Sequence, residues 1–349
     1  MFLGIEIGGT KLQLGVGPGD GTIAALERAA VDPAAGAAGI RRQILELAAK
    51  LLAKSGLARS DIRAVGIGFG GPVRSDLSTV TKSHQIAGWD DFPLGDWSRR
   101  ELGWSTIVHN DADTAGLAEA CYGAGRGCSP VFYITIGSGI GGGLIIGQSI
   151  YRGAGAGAGE IGHLCRPRWR PVFVNPPVLE PPQPRATVES VCSGWSVERR
   201  VQFGVRKSLA RDLDGPNPVQ PDLRLNAQQL LDSTGGDLAL LKVESIVRAA
   251  REGNALAAAY LQETWRVLGW AIGQMITLLC PRRVVLGGGV AQIGEDLFLA
   301  PVREATAQYV FPPFADSYEI VPAALGESVV VHGALRLAHD LDRDRRNHR

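Results

Sequence analysis

The sequence predicts an α/β chain built from two related halves. Three observations carry that expectation. Apolar runs of β type alternate with stretches of helical periodicity, four of the runs end in glycine-rich turns, and the strand, glycine turn and strand at the start recur around Val131–Gly147. With 349 residues and 45% apolar content, the chain has material for two domains of ordinary size, each with a filled core.

Taken in order, Phe2–Ile7 and Leu12–Val16 read as strands on either side of Gly8 and Gly9, a pattern that by itself describes a hairpin with a glycine turn. A helix is predicted over Ile40–Ser55 and a strand over Ile62–Phe69. The apolar runs Ser105–Val108, Val131–Ile136 and Gly143–Ile146 stop at polar or glycine positions, where strands deliver functional residues to loops. A helix is expected from Ala112 to Tyr122, because Asp111 and Asp113 stand where the first turn favours carboxylates. A long helix over Ala255–Leu279 ends before Pro281, and a strand over Arg283–Leu286 runs into Gly287–Gly289. The last helix is predicted over Val331–Asp340, with "DLDRDRRNHR" behind it as a solvated charged tail. Between Arg166 and Ala186, seven prolines exclude both helix and central strand, so that segment is expected to be an ordered excursion carrying Trp169, Phe173 and Val174.

Composition excludes several classes of function. The formal net charge of +1 gives no electrostatic reason to bind nucleic acid or a membrane surface. No run of about eighteen charge-free apolar residues is present, so no membrane span is expected. Five scattered cysteines suit reduced thiols, and a strand beginning at Phe2 leaves no room for a leader; both point to the cytoplasm.

The chemistry sits in the glycine turns. Gly8–Lys11, Gly68–Pro72, Gly137–Gly143 and Gly287–Gly289 each follow a β-type run. Such turns expose consecutive backbone N–H groups to anions, and several converging on one cleft suit a polyphosphate. The single-loop pattern G-x-x-x-x-G-K-[ST] is absent, and Gly137–Gly143 runs into β-type sequence rather than the helix a dinucleotide fingerprint needs. Asp111 is either a plain helix N-cap or a carboxylate placed for proton transfer.

The order of these pieces resembles the ROK family (repressor, open reading frame, kinase) of the actin-like, hexokinase-like ATPases, over Phe2 to about Leu337. Five matches carry the resemblance: "EIGGTK" to D-x-G-G-T-K, "GIGFGGPV" to G-I-G-x-P-G-P-V, "HNDADTAGLAE" to N-D-x-N-x-x-x-x-x-E, "ITIGSGIGGGLIIGQSIYRGAGAGAGEIGH" to the second phosphate loop with E-x-G-H, and "CPRRVVLGGGV" to an adenosine-seating turn. The resemblance implies a two-domain actin-like (ribonuclease H-like) fold. The smaller domain would hold residues 1–111 and about 335–349, and the larger 112–334 with a proline-rich insertion at 166–186. It further implies ATP-dependent phosphorylation of a hexose or N-acyl hexosamine by a cytoplasmic homodimer, with sugar and ATP as small-molecule partners. Asp111 would be the general base. Gly71, Asn110, Asp111, Glu160, His163 and Glu189 would contact the sugar. Gly8, Gly9, Thr10, Lys11, Gly137, Ser138, Gly139, Gly287, Gly288 and Gly289 would hold the nucleotide, with Glu6 holding magnesium through water.

Two departures qualify that expectation. Glu6 stands where the pattern has Asp, keeping the charge with one more methylene. The family's C-x-C-G-x-x-G-C-x-x-E run after E-x-G-H is missing. The proline-rich segment takes its place, and Cys165, Cys192 and His163 at irregular spacing fall short of a closed four-ligand site, so no zinc is expected. These departures leave a non-catalytic carbohydrate-binding member of the same fold as the alternative. A sugar-responsive transcriptional regulator is disfavoured, since its DNA-binding domain would precede a phosphate loop that here starts at residue 6.

Overall fold

The computed structural model describes residues 1–83, 85–155, 157–166, 186–210 and 221–347. In the first half, β1 (Phe2–Ile7) and β2 (Lys11–Gly17) pair antiparallel across the Gly8–Thr10 turn, with Ile7 opposite Leu12. The hairpin and the glycine loop are therefore the same object. β3 (Ala25–Ala30) continues the meander, and β4 (Ala64–Phe69) and β5 (Ser105–Asn110) join in parallel, giving the order β3-β2-β1-β4-β5. Helices α1 (Gly36–Ser55), α2 (Leu94–Leu102) and α3 (Asp111–Tyr122) complete this half.

The second half repeats the plan. β6 (Val131–Ile136) and β7 (Ile140–Ile146) pair antiparallel across Gly137–Gly139, β8 (Ser149–Tyr151) extends the meander, and β9 (Arg283–Gly287) and β10 (Glu319–Pro322) add in parallel, in the order β8-β7-β6-β9-β10. Strand for strand the two sheets have one topology, as the recurring strand and glycine turn suggested. β7 begins three residues before the predicted Gly143, so Gly141–Gly143 belong to the strand and the second turn is only Gly137–Gly139. Helices α4 (Glu189–Cys192), α5 (Gly194–Ala210), α6 (Pro221–Asp232), α7 (Val243–Arg251), α8 (Ala255–Leu279) and α9 (Ala300–Ala307) stand between β8 and β10 in the chain.

Each sheet carries its own core. Leu3, Ile5, Ile7, Leu12 and Ile67 pack with Ile40 and Ile44 of α1, whereas Phe132, Ile134 and Ile136 pack with Val197, Val201, Trp265 and Ile272. Full burial of such side chains stabilises by about 1.5–3 kcal/mol each. The last helix, α10 (Val329–Asn347), crosses back from β10 to lie on β1 and β4, while α3 crosses from β5 to lie on β6 and β7. That return requires a bare sheet face: a methyl on Gly66 would lie 1.9 Å from the Ala334 carbonyl oxygen. The charged tail is a correction to the sequence reading. It is helical through Asn347, with Arg346 paired to Asp342 at 2.9 Å and Arg336 to Asp340 at 2.8 Å, because (i, i+4) charges prolong an exposed helix. Trp169, Phe173, Val174 and most of the proline-rich segment lie outside the described residues. The segment's ends adjoin, since the Arg166 N–H donates to the Ala186 carbonyl at 2.9 Å.

Candidate active site

The catalytic candidate stands where β5 becomes α3. Asn110 has extended backbone angles, and its Oδ1 accepts from the N–H groups of Ala112 (2.8 Å) and Asp113 (3.3 Å). The N-cap is thus Asn110, which frees Asp111 from the bland role its sequence position allowed. Asn110 Nδ2 donates to the Gly71 carbonyl at 3.2 Å, tying the loop after β4 to the start of α3. Asp111 takes the first helical position, with Oδ1 accepting from the Ala112 N–H at 2.8 Å. Its residue surface is half-open to a cleft, yet its carboxylate sits among protein atoms. Burial, then the charge of Glu6, raise its pKa to about 7 against the pull of backbone N–H bonds.

Glu6 owes its place to strand register. It faces Gln13 across β1 and β2, and the Gln13 amide donates to Glu6 Oε2 at 2.6 Å, while Lys11 Nζ lies 3.3 Å from Oε1. Burial raises the Glu6 pKa; Lys11 and the Gln13 bond oppose that shift. Lys11 and Gln13 also donate to the Glu327 carbonyl, at 3.1 and 2.9 Å, joining the first turn to the segment before α10.

A cleft of about 380 Å³ gathers Glu6, Lys11, Asp111, Thr135, Gly287, Gly288 and Gly289 between the two sheets. A second cavity of about 500 Å³ is lined by Gly137, Ser138, Trp195, Val247 and Arg251, and shares Gly289 and Gln292 with the first. One continuous groove therefore runs from Asp111 past two glycine turns to an aromatic and apolar recess. Gly8, Gly9 and Thr10 line neither cavity, but Gly9 packs so closely on Gln85 that a Cβ there would lie 1.4 Å from Oε1. Gln85 Nε2 reaches the Ser138 hydroxyl at 3.5 Å, linking the two turns.

The remaining sugar candidates line neither cavity. Glu160 and His163 bracket a 3₁₀ turn, with the His163 N–H donating to the Glu160 carbonyl at 3.0 Å, and both residues are exposed. The Glu160 charge acts on Asp111, raising its pKa further. Glu189, in α4, uses Oε2 to accept from the Ile140 N–H at 2.8 Å, so it also braces the second turn. Cys192 is buried and donates to the Thr264 carbonyl at 3.3 Å, while Cys165 is exposed. Among the described residues no three His, Cys, Asp or Glu side chains come together as a metal cage.

Several contributors were not among the predicted site residues, although Glu119 closes the "HNDADTAGLAE" match. Buried Glu119 accepts from Ala324 and Leu325 N–H groups, both at 2.9 Å, and from Ala124 at 2.7 Å, anchoring the chain that lines the cleft at Ala323 and Gly326. Asp113 is buried beside Gly143; the sequence marks it as a first-turn carboxylate and as the residue at the second Asn of N-D-x-N. Nothing local marked Gln85.

Known proteins resemble this chain in sequence and fold. The glucokinase of Halalkalibacterium halodurans is 29% identical over 338 residues, covering 95% of this chain and 93% of that protein. The crystal structure of a ROK family glucokinase from Streptomyces griseus in complex with glucose and AMPPNP is 28% identical, with a TM-score of 0.74 over 97% of this chain and 99% of that one. The ROK hexokinase of Thermus thermophilus, 23% identical, shares the fold with a TM-score of 0.76 over 98% and 99% of the two chains. The ROK family model matches residues 2–341, and with paired actin-like halves around the Asp111 cleft, this chain belongs to the ROK family.

Proposed function

We propose that this protein transfers the γ-phosphoryl group of ATP to a hydroxyl of a hexose or N-acyl hexosamine. The observation that carries the reading is Asp111, held at the start of α3 in the same cleft as Glu6, Lys11 and the Gly287–Gly289 turn. A sugar hydroxyl is a weak nucleophile at neutral pH and needs its proton taken as the phosphoryl group arrives. Asp111 Oδ1 is engaged by Ala112, which leaves Oδ2 to accept that proton. A pKa of about 7 makes the carboxylate basic enough to accept the proton while a useful fraction is ionised.

Asn110, Gly71, Glu160, His163 and Glu189 surround the sugar in this reading, as fixed polar groups that an epimer would leave unpaired. The turns Gly8–Lys11 and Gly137–Gly139 present N–H groups to the phosphates, and Gly287–Gly289 opens towards the recess for adenosine. Glu6 and Asp111 in one cleft fit magnesium, which takes one or two carboxylates and completes its shell with phosphate and water. Glu6 would hold the ion, which supplies charge neutralisation on the phosphates. The return of α10 to the first sheet and of α3 to the second supports a smaller domain of residues 1–111 with 335–349 and a larger one of 112–334. Five unpaired cysteines support a cytoplasmic setting, and a homodimer is the assembly we expect.

A coupled ADP-release assay across a panel of hexoses and N-acyl hexosamines tests the reading. Sugar-dependent ADP release from at least one is expected, and none from any would contradict it.

A further inference from the structure

Arg152 and Asp113 hold buried polar atoms that the mechanism above does not use. Arg152, directly after β8 in the second half, reaches across to the loop after β4 in the first. Its Nη2 donates to the Val73 carbonyl at 2.8 Å and to the Arg74 carbonyl at 3.3 Å, and Nη1 reaches the Arg74 carbonyl at 3.3 Å. The same loop carries Gly71, whose carbonyl accepts from Asn110, which in turn caps the helix that begins with Asp111. One line of hydrogen bonds therefore joins Arg152 to the catalytic carboxylate through the sugar loop.

Asp113 is a buried charge within the field of Arg152, without an ion pair to it. It is 4% exposed, and its Oδ1 has no hydrogen-bond partner among the described residues; the buried Nε of Arg152 also has none. Arg152 is the cation whose field favours the ionised Asp113, whereas Glu160 and Asp111 oppose it. His109, a buried residue of β5, is held neutral, with its pKa lowered to about 3 by burial and by Arg152, so it adds no positive charge. A buried carboxylate facing two others depends on its one cation.

We propose that Arg152 is a positioning residue of the sugar site: it fixes the Gly71–Arg74 loop from the opposite half by bonding the Val73 and Arg74 carbonyls. A planar guanidinium spans two adjacent carbonyls as a fork; an ammonium at the same place does not. The first part of the proposal rests on the kinase reading, because the loop matters for catalysis only if Gly71 and Asn110 meet a sugar. The charge coupling between Arg152 and Asp113 does not rest on it.

Two measurements separate these parts. In thermal unfolding at pH 8, Arg152→Met should lower the melting temperature, and Asp113→Asn added to it should recover at least about half of that loss, since a neutral amide needs no cation. Additive effects of the two substitutions would overturn the coupling. In steady-state kinetics with glucose as the probe, or the best sugar of the panel if glucose is not turned over, Arg152→Lys should raise the sugar KM about tenfold and leave the ATP KM within about twofold. Lysine keeps the charge beside Asp113, so this variant should fold even if Arg152→Met does not. A sugar KM within about twofold of the parent, or an equal rise for ATP, would overturn the positioning role. A parent without turnover on any sugar of the panel contradicts the kinase reading and with it the positioning role, while the unfolding cycle still decides the charge coupling.

Discussion

Glu6 and Gln13 face each other in register on β1 and β2, and the Gln13 amide donates to the Glu6 carboxylate at 2.6 Å. With Lys11 at 3.3 Å, that bond opposes the effect of burial, which alone would favour a protonated Glu6. A charged Glu6 in turn raises the Asp111 pKa, so the first strand helps set the chemistry of the candidate base. Removing the charge with Glu6→Gln should lower the Asp111 pKa and move the acid limb of kcat/KM to lower pH. The pH profile at saturating magnesium checks this, and an acid limb displaced upwards would contradict it. Glu6→Asp should retain magnesium-dependent activity, whereas Glu6→Ala should raise the magnesium requirement.

Asp113 should make stability fall as pH rises. Its pKa is raised from 3.8 to about 7, burial being the largest cause. A group with a raised folded pKa contributes its stability in full below the unfolded pKa and loses it as pH climbs through the folded one. The melting temperature of Asp113→Asn minus that of the parent should therefore grow between about pH 4 and pH 7. A difference that is flat or shrinks across that window would remove Asp113 from this role.

Glu119 carries three backbone N–H groups on one carboxylate. Glu119→Ala leaves them buried without acceptors, at a cost of about 1–3 kcal/mol for each unsatisfied group. Chemical denaturation should show a loss of several kcal/mol, and Glu119→Gln, which keeps one acceptor oxygen, should lose less. Equal losses for the two variants would mean that bulk rather than hydrogen bonding matters here.

Zinc should be absent from the purified protein at stoichiometric level. Cys192 is committed to the core and bonded to the Thr264 carbonyl, which leaves His163 and exposed Cys165 short of a four-ligand set. Elemental analysis decides the matter, and one equivalent of zinc per chain would refute the expectation.

What the sequence made legible is what local pattern encodes. The first glycine turn, the strands beside it and the 255–279 helix stand where periodicity and punctuation put them, because each depends on neighbours in the chain, whereas the second turn is shorter than its run of glycines suggested. The capping role of Asn110 was less legible, since Asn and Asp are both good caps and only backbone angles separate adjacent candidates. Gln85, Glu119 and Arg152 act on partners far along the chain, through Ser138, Ala324 and Val73 respectively, and no spacing rule connects such pairs. The helical tail was missed because a charged run reads as solvated, which it is, and says little about backbone order.

The central claim is that Asp111 takes the proton of the sugar hydroxyl. An amide in its place keeps the hydrogen bonding but cannot accept a proton. Turnover of Asp111→Asn should therefore fall by roughly a hundredfold or more, with sugar affinity within about tenfold of the parent. Single-turnover phosphoryl transfer together with sugar binding, measured on parent and variant, gives both numbers; turnover close to the parent would contradict the assignment of Asp111 as the base.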